Sequence, residues 1–153
     1  MAILLTIATP IGPLTLHEEQ EMLTQIAFGD QNGTGRTPLL DEAQRQLEAY
    51  FAGRLRTFDL PYRLSGTPFQ QQVYRALLDI PYGQTCSYRE IARAIGRENA
   101  CRAVGGANNK NRLPILIPCH RVIGQNGSLT GYAGGLAAKQ FLLQLEQTGG
   151  NNP

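Results

Sequence analysis

Tryptophan is absent from this 153-residue chain, and histidine and cysteine are scarce. There are two histidines, His17 and His120, and no C-x-x-C pair, so a zinc site has little to build on. The three cysteines, Cys86, Cys101 and Cys119, are odd in number and lack close pair spacing, which argues for reduced thiols in a cytosolic compartment. No uninterrupted apolar stretch approaches the length of a membrane span. Met1 to Thr9 is apolar but short and has no basic flank, so it does not read as a signal peptide. A soluble, cytoplasmic chain with no membrane partner, metal or cofactor is expected.

At 42% hydrophobic, the chain can bury one good core or two small sub-domains that share one. Its net charge of +2 hides an asymmetry. Residues 1–61 hold four arginines against eight acids, net −4; residues 62–121 hold eight arginines and Lys110 against Asp79, Glu90 and Glu98, net +6. A polyanion is the partner such a middle segment suggests, although a solvated arginine face has the same composition.

The first thirty residues predict a β-meander: Ile3 to Ala8, then Leu14 to His17, then Met22 to Phe28 with Thr24, Ile26 and Phe28 on one face. His17 falls on a polar side and receives no role. Thr37-Pro38 starts a helix carrying Leu40, Ala43, Leu47 and Tyr50/Phe51, and Gly53 ends it. After a connector, Thr67-Pro68-Phe69-Gln70 is a capping box for a second helix, with Phe69, Val73, Leu77 and Ile80 inward. Ser87-Tyr88-Arg89-Glu90 is another, opening a short helix stopped by Gly96. Asn99 is expected to cap the next helix, Ala100 to about Ala107, and the pair outlines a helix-turn-helix or an ordinary αα-hairpin. Ala100, Ala103, Gly105, Gly106 and Ala107 leave almost no bulk around Arg102, which implies close approach of another surface or tight packing in the core. Gly124-Gln125-Asn126-Gly127 reads as a hairpin turn with Ser128 to Tyr132 returning, before a last helix with Leu136, Phe141, Leu142 and Leu145 apolar.

Pro118-Cys119-His120-Arg121 puts a thiol beside an imidazole behind the apolar run Leu113 to Ile117. A cysteine attacks as thiolate and needs a base or a positive field to lose its proton. Neighbouring side chains on a strand point to opposite faces, so the pair cooperates only if the chain turns there. On these residues alone the plainer reading is favoured: a buried structural cysteine followed by a solvent-facing histidine.

Taken together, Arg102-Ala-Val-Gly-Gly-Ala107, Asn111, Pro114-Ile-Leu-Ile-Pro-Cys-His-Arg-Val122, Gly131-Tyr-Ala-Gly-Gly135 and Glu146 resemble the O6-alkylguanine-DNA alkyltransferases. The likeness runs from about Thr67 to Gln147, with a weaker echo in residues 1–60. It implies an α/β, ribonuclease-H-like N-terminal sub-domain (1–60) and a mostly α-helical, winged-helix-like C-terminal sub-domain (61–153) that carries the helix-turn-helix and the thiol. The implied activity is direct, irreversible transfer of an alkyl group from O6 of guanine, or O4 of thymine, in double-stranded DNA to Cys119. His120, held by Glu146, takes the thiol proton through a water. Asn111 is similar to the family's bracing asparagine. Tyr88 resembles the tyrosine that hydrogen-bonds the everted base; Val122, Tyr132 and Ala133 line its site. Arg102 resembles the arginine that fills the gap in the stack, on a helix whose Gly105 and Gly106 face the minor groove. Arg89, Arg93 and Arg97 are phosphate-contact candidates from charge alone. A monomer, cooperative on DNA or not, is expected, and no cofactor. Residues 1–61 lack the cysteines of a zinc site known in some relatives, and Tyr74 stands where many members have tryptophan. A lesion-binding module without chemistry and a cysteine hydrolase are the alternatives; the thiol speaks against the first and the basic segment against the second.

Overall fold

Apolar alternation near the N-terminus produces a three-stranded antiparallel sheet in the computed structural model, which describes residues 1–149. Its strands are β1 (Ile3–Ile7), β2 (Leu14–Glu19) and β3 (Met22–Phe28), in that order, with Leu5, Leu16 and Ile26 side by side across the ladder. Gln20 and Glu21, both at positive φ (53° and 62°), make the tight turn between β2 and β3. Of the expected face of Thr24, Ile26 and Phe28, the last two stay on one side of the sheet and Thr24 is lost from it. The register slips between His17 and Glu18, so that His17 pairs with Gln25 but Glu18 with Leu23, and Thr24 becomes the extra residue of a bulge. Leu23, Ile26 and Ala27 are buried.

Helix α1 (Pro38–Phe51) starts as its sequence dictates, with the Thr37 hydroxyl accepting from the Leu40 amide at 3.0 Å and Pro38 in the first turn. The same hydroxyl donates to Glu18, a buried carboxylate near the end of β2. Leu40, Ala43, Leu47 and Tyr50 form the buried face of α1. A fully buried leucine such as Leu47 stabilises by about 1.5–3 kcal/mol relative to an exposed one.

Both capping boxes are present. Thr67 and Gln70 exchange bonds of 3.0 and 3.1 Å at the start of α2 (Pro68–Leu78), and Ser87 and Glu90 exchange 2.8 and 3.0 Å at the start of α3 (Tyr88–Ala94). Gly96 (φ 74°) turns the chain towards α4 (Cys101–Asn109). Asn99 does not cap α4. The chain is already coiling at Ala100, whose amide reaches the Arg97 carbonyl at 2.9 Å, so Ala100 takes the boundary and supplies no side-chain cap.

A further correction concerns the expected hairpin. Gly124 to Ser128 does fold back in a tight turn, the Gly124 amide donating to the Ser128 carbonyl at 2.8 Å. No return strand follows among the described residues. Val122–Ile123 (β5) pair in parallel with Cys86–Ser87 (β4), the dipeptide that feeds α3. The stretch after the turn is drawn off by side chains: Tyr132 meets Phe28 edge-on at 5.5 Å, and Lys139 takes the Thr130 carbonyl at 2.8 Å. Helix α5 (Leu136–Gln147) closes the described chain; residues 150–153 of the expected second sub-domain lie outside it.

The two halves share one core. A single hydrophobic cluster runs from Leu5 through Tyr50 and Val73 to Leu142, with Cys119 in it. The exposed edge of β3 is covered by segments of the second half: the Ile26 amide donates to the Arg112 carbonyl at 2.9 Å, and Leu23 exchanges bonds of 2.9 and 2.8 Å with Pro61 and Arg63.

Candidate active site

The segment bearing Cys119 is bent into place by Asn111. Its Nδ2 donates to the Ile117 carbonyl at 2.8 Å, and its Oδ1 accepts from the Leu113 amide at 3.0 Å. Between those anchors Ile115 sits buried at φ 74°, a conformation that costs a β-branched residue about 1–3 kcal/mol and persists only when its surroundings hold it. Pro118 then leads into a single 3-10 turn, Cys119–Arg121. The turn answers the objection raised by an adjacent thiol and imidazole, because the pair is not on a strand. Asn108 adds a hold from α4, its Nδ2 donating to the Cys119 carbonyl at 3.2 Å.

His120 is fully buried, so the reading that left it facing solvent is wrong. Its Nε2 lies 2.7 Å from Glu146 Oε2. Arg121 grips the same carboxylate twice, Nε to Oε1 at 2.7 Å and Nη2 to Oε2 at 3.0 Å, and its Nη1 donates to the Ile80 carbonyl at 2.7 Å. The Tyr50 hydroxyl donates to Glu146 Oε2 at 2.6 Å. Burial alone would push Glu146 up; the bonds from His120 and Arg121 outweigh it and hold the carboxyl at about 2. Against an ionised carboxylate, Nε2 must carry the ring proton. His120 Nδ1 is left as a buried acceptor with no partner among the described residues.

Burial drives Cys119 and His120 in opposite directions, each towards its neutral form. The Cys119 thiol, 4% exposed, is pushed up to about 11, against weaker pulls from the Asn111 side chain and the Lys139 charge. His120 is lowered, also by burial, with Glu146 opposing. The free protein therefore holds a thiol beside a neutral imidazole.

Lys139 is fully buried on α5, its ammonium held by the carbonyls of Val122 at 2.6 Å and Thr130 at 2.8 Å. Thr130 in turn meets Tyr88: their hydroxyls are 2.8 Å apart. The Tyr132 hydroxyl is buried without a partner among the described residues, and burial together with the nearby Cys119 raises it well above the ordinary phenol. Ala133, Asn111 and Pro114 line one groove of about 430 Å³. Cys119, His120, Glu146 and Asn111 are thus brought together, with Val122 and Tyr132 beside them.

The exposed side of α4 is smooth. A Cβ added at Gly106 would meet nothing within 4 Å, and one at Gly105 would meet only the Tyr88 ring at 3.8 Å. Core packing therefore does not explain these glycines. Arg102 and Arg89 are exposed and form no ion pair among the described residues. Arg93 pairs with Glu98 at 3.3 Å, and Arg97 lies over the Phe69 ring at 5.7 Å, so both have partners within the chain.

Two family models match: 6-O-methylguanine DNA methyltransferase, ribonuclease-like domain, over residues 4–64, and the DNA binding domain of the same enzyme over residues 68–148. The chain belongs to the 6-O-methylguanine DNA methyltransferase family. A methylated-DNA–protein-cysteine methyltransferase of Methanosarcina acetivorans is 50% identical over 148 residues, covering 90% of this chain and 94% of that protein. That of Mycobacterium bovis is 51% identical, covering 94% and 91%. The crystal structure of Mycobacterium tuberculosis OGT in complex with DNA superposes with a TM-score of 0.87 at 49% identity, over 94% of this chain and 92% of that one.

Within a member of this family, four residues of the site were given no role by the sequence: Tyr50, Asn108, Arg121 and Lys139. Lys139 and Glu146 are seven apart on one helix with Leu142 between them, a spacing that puts all three on the buried face. That signal was available. Tyr50 kept the spacing of a core residue and nothing in its neighbours announced a carboxylate.

Proposed function

We propose that this protein repairs alkylated DNA by moving an alkyl group from O6 of guanine, or O4 of thymine, onto Cys119, once per molecule. One observation carries the reading: Cys119 stands next to a buried imidazole whose Nε2 is committed to Glu146 and whose Nδ1 is a free acceptor. The Cys119 proton passes to that nitrogen with a water as relay. The sulfur pair forms the S–C bond as the C–O6 bond breaks, and the imidazolium is stabilised by Glu146, the orienting role a carboxylate plays in nucleophile–histidine–acid triads. Polarisable sulfur suits displacement at carbon. The product is a thioether that no neighbouring group can cleave, so the protein is consumed.

The alkyl carbon of a stacked base is out of reach, so the nucleotide is everted from the duplex. Arg102 fills its place, and the bare surface at Gly105 and Gly106 lets α4 enter the minor groove. Arg89 and Arg97 contact phosphate; Arg97 first leaves Phe69. The base lies against Val122, Tyr132 and Ala133. Tyr88 exchanges Thr130 for the base and passes its proton to it as the C–O6 bond breaks, so that guanine leaves neutral, and the exposed phenolate regains a proton from solvent. The protein acts as a monomer. A cytoplasmic location fits a reagent that needs access to DNA and a reduced thiol.

The test is a time course with a duplex carrying labelled O6-methylguanine in excess. Label should plateau at one methyl per protein. Continued turnover, or retention of the duplex with no label on the protein, would overturn the reading in favour of a true catalyst or a lesion binder.

A further inference from the structure

We infer that Tyr50 is a positioning residue for alkyl transfer, by which α1 of the N-terminal half fixes the carboxylate that orients His120. The inference rests on the reading of Cys119 and His120 given above and adds to it a residue from the other half of the chain.

Tyr50 is buried, and its hydroxyl donates at 2.6 Å to Glu146 Oε2, the oxygen that also receives His120 Nε2. The two residues are 96 apart in sequence. Packing alone does not need that hydroxyl. The ring already meets Phe51 at 5.4 Å, Phe58 at 5.5 Å and Tyr82 at 6.3 Å, contacts a phenylalanine would keep. What the hydroxyl adds is a third kind of donor on one carboxylate. Arg121 fixes the plane of Glu146 through two bonds, and Tyr50 occupies a further lone pair on the oxygen that faces the imidazole. An oxygen that shares its charge with Tyr50 is a weaker base. Glu146 then holds the Nε2 proton without drawing it off, and Nδ1 stays the open acceptor.

The phenol does not ionise in this role. Burial and the Glu146 charge both raise Tyr50 far above the ordinary phenol, so it acts as a fixed donor at every working pH. The other groups bearing on His120 and Glu146 are Arg121 on the turn, Lys139 on α5 and Tyr82 after α2, with Arg56 and Arg121 lying 4.9 and 5.7 Å from the Tyr82 ring centre. Each of these is retained in Tyr50→Phe.

The test compares Tyr50→Phe with wild type in the rate of alkyl transfer from a free O6-alkylguanine base between pH 5 and 9, with duplex affinity measured alongside. With the donor gone, Glu146 loses one of the bonds that fix its orientation towards the imidazole, and its carboxylate charge, no longer shared with Tyr50, raises His120. The rate should drop about tenfold at neutral pH, the loss expected for one hydrogen bond to a charged group. The limb of the pH profile set by His120 should move to higher pH, and duplex affinity should be unchanged. A purely structural role would leave that limb in place. Nitrogen-15 shifts of the His120 ring give a second readout that needs no turnover: the variant should hold its ring proton to higher pH than wild type. Transfer by wild type, with rate, profile and ring shifts of Tyr50→Phe superimposed on it, overturns this inference alone. No transfer by wild type overturns the reading of the site and this inference with it.

Discussion

Arg121 and Glu146 form a two-point ion pair, 2.7 Å through Nε and 3.0 Å through Nη2, with the carboxylate almost wholly shielded from water. Arg121 stands two residues after Cys119, so the pair fastens the 3-10 turn to α5. Such a pair contributes little against an apolar replacement of both partners, but removing one partner strands the other.

Arg121→Ala should therefore be costly. It leaves a buried carboxylate with only His120 and Tyr50 as donors, and stability should fall by about 3–5 kcal/mol. Urea unfolding measures it; a midpoint within error of wild type would mean that water replaces the guanidinium and that the turn is held by Asn111 and Asn108.

Acid should destabilise the protein in two stages. His120 is lowered from its ordinary 6.5 in the folded state, so below that pH the unfolded chain binds a proton the folded one refuses, and stability declines as pH falls. Glu146 sits at about 2 against an ordinary 4.5; its contribution is complete above 4.5 and is lost as pH falls towards 2. The melting temperature should be flat near pH 7–8, decline below about 6.5 and decline faster below about 4.5. His120→Gln should flatten the first stage only. Constant melting between pH 7.5 and 5 contradicts the buried neutral imidazole.

Alkylation should weaken the fold. Cys119 is in the shared core, and an added methyl meets packed neighbours, an insertion that costs about 1–3 kcal/mol. The thiol is already neutral in the free protein, so no thiolate–imidazolium pair is lost and added bulk is the cause. Methylated protein should melt below the unmodified form, and an ethyl group should lower it further. Identical melting would show that the pocket has room to spare.

The glycines of α4 should separate stability from function. Gly106→Ala adds a Cβ to open space on a helix, which should stabilise the free protein by about 0.5–1 kcal/mol. The same methyl projects into the proposed minor-groove contact and should weaken duplex binding. Arg102→Ala should slow repair of duplex DNA far more than reaction with the free base. Unchanged duplex affinity in Gly106→Ala would move the DNA contact off this face.

Much of this was legible from local chemistry. Thr37, Thr67 and Ser87 announced three helix starts because a cap is written within four residues, and the Cys119–Glu146 assembly was legible through family resemblance. Contacts set by tertiary structure were not. The bulge at Thr24 depends on pairing between strands, the failed hairpin after Gly127 depends on what Tyr132 and Lys139 reach, and Ile115 takes a positive φ that its side chain opposes. Tyr50 looked like core and is core; its hydroxyl matters only because a helix 96 residues later brings Glu146 to it.

The most direct test of the central claim is peptide mass mapping after incubation with a duplex containing O6-methylguanine. One methyl should replace the proton of Cys119 stoichiometrically, with Cys86 and Cys101 unmodified, and Cys119→Ser should bind the duplex but carry no methyl. A methyl on any other residue, or an unmodified wild-type protein alongside a repaired duplex, would contradict the account.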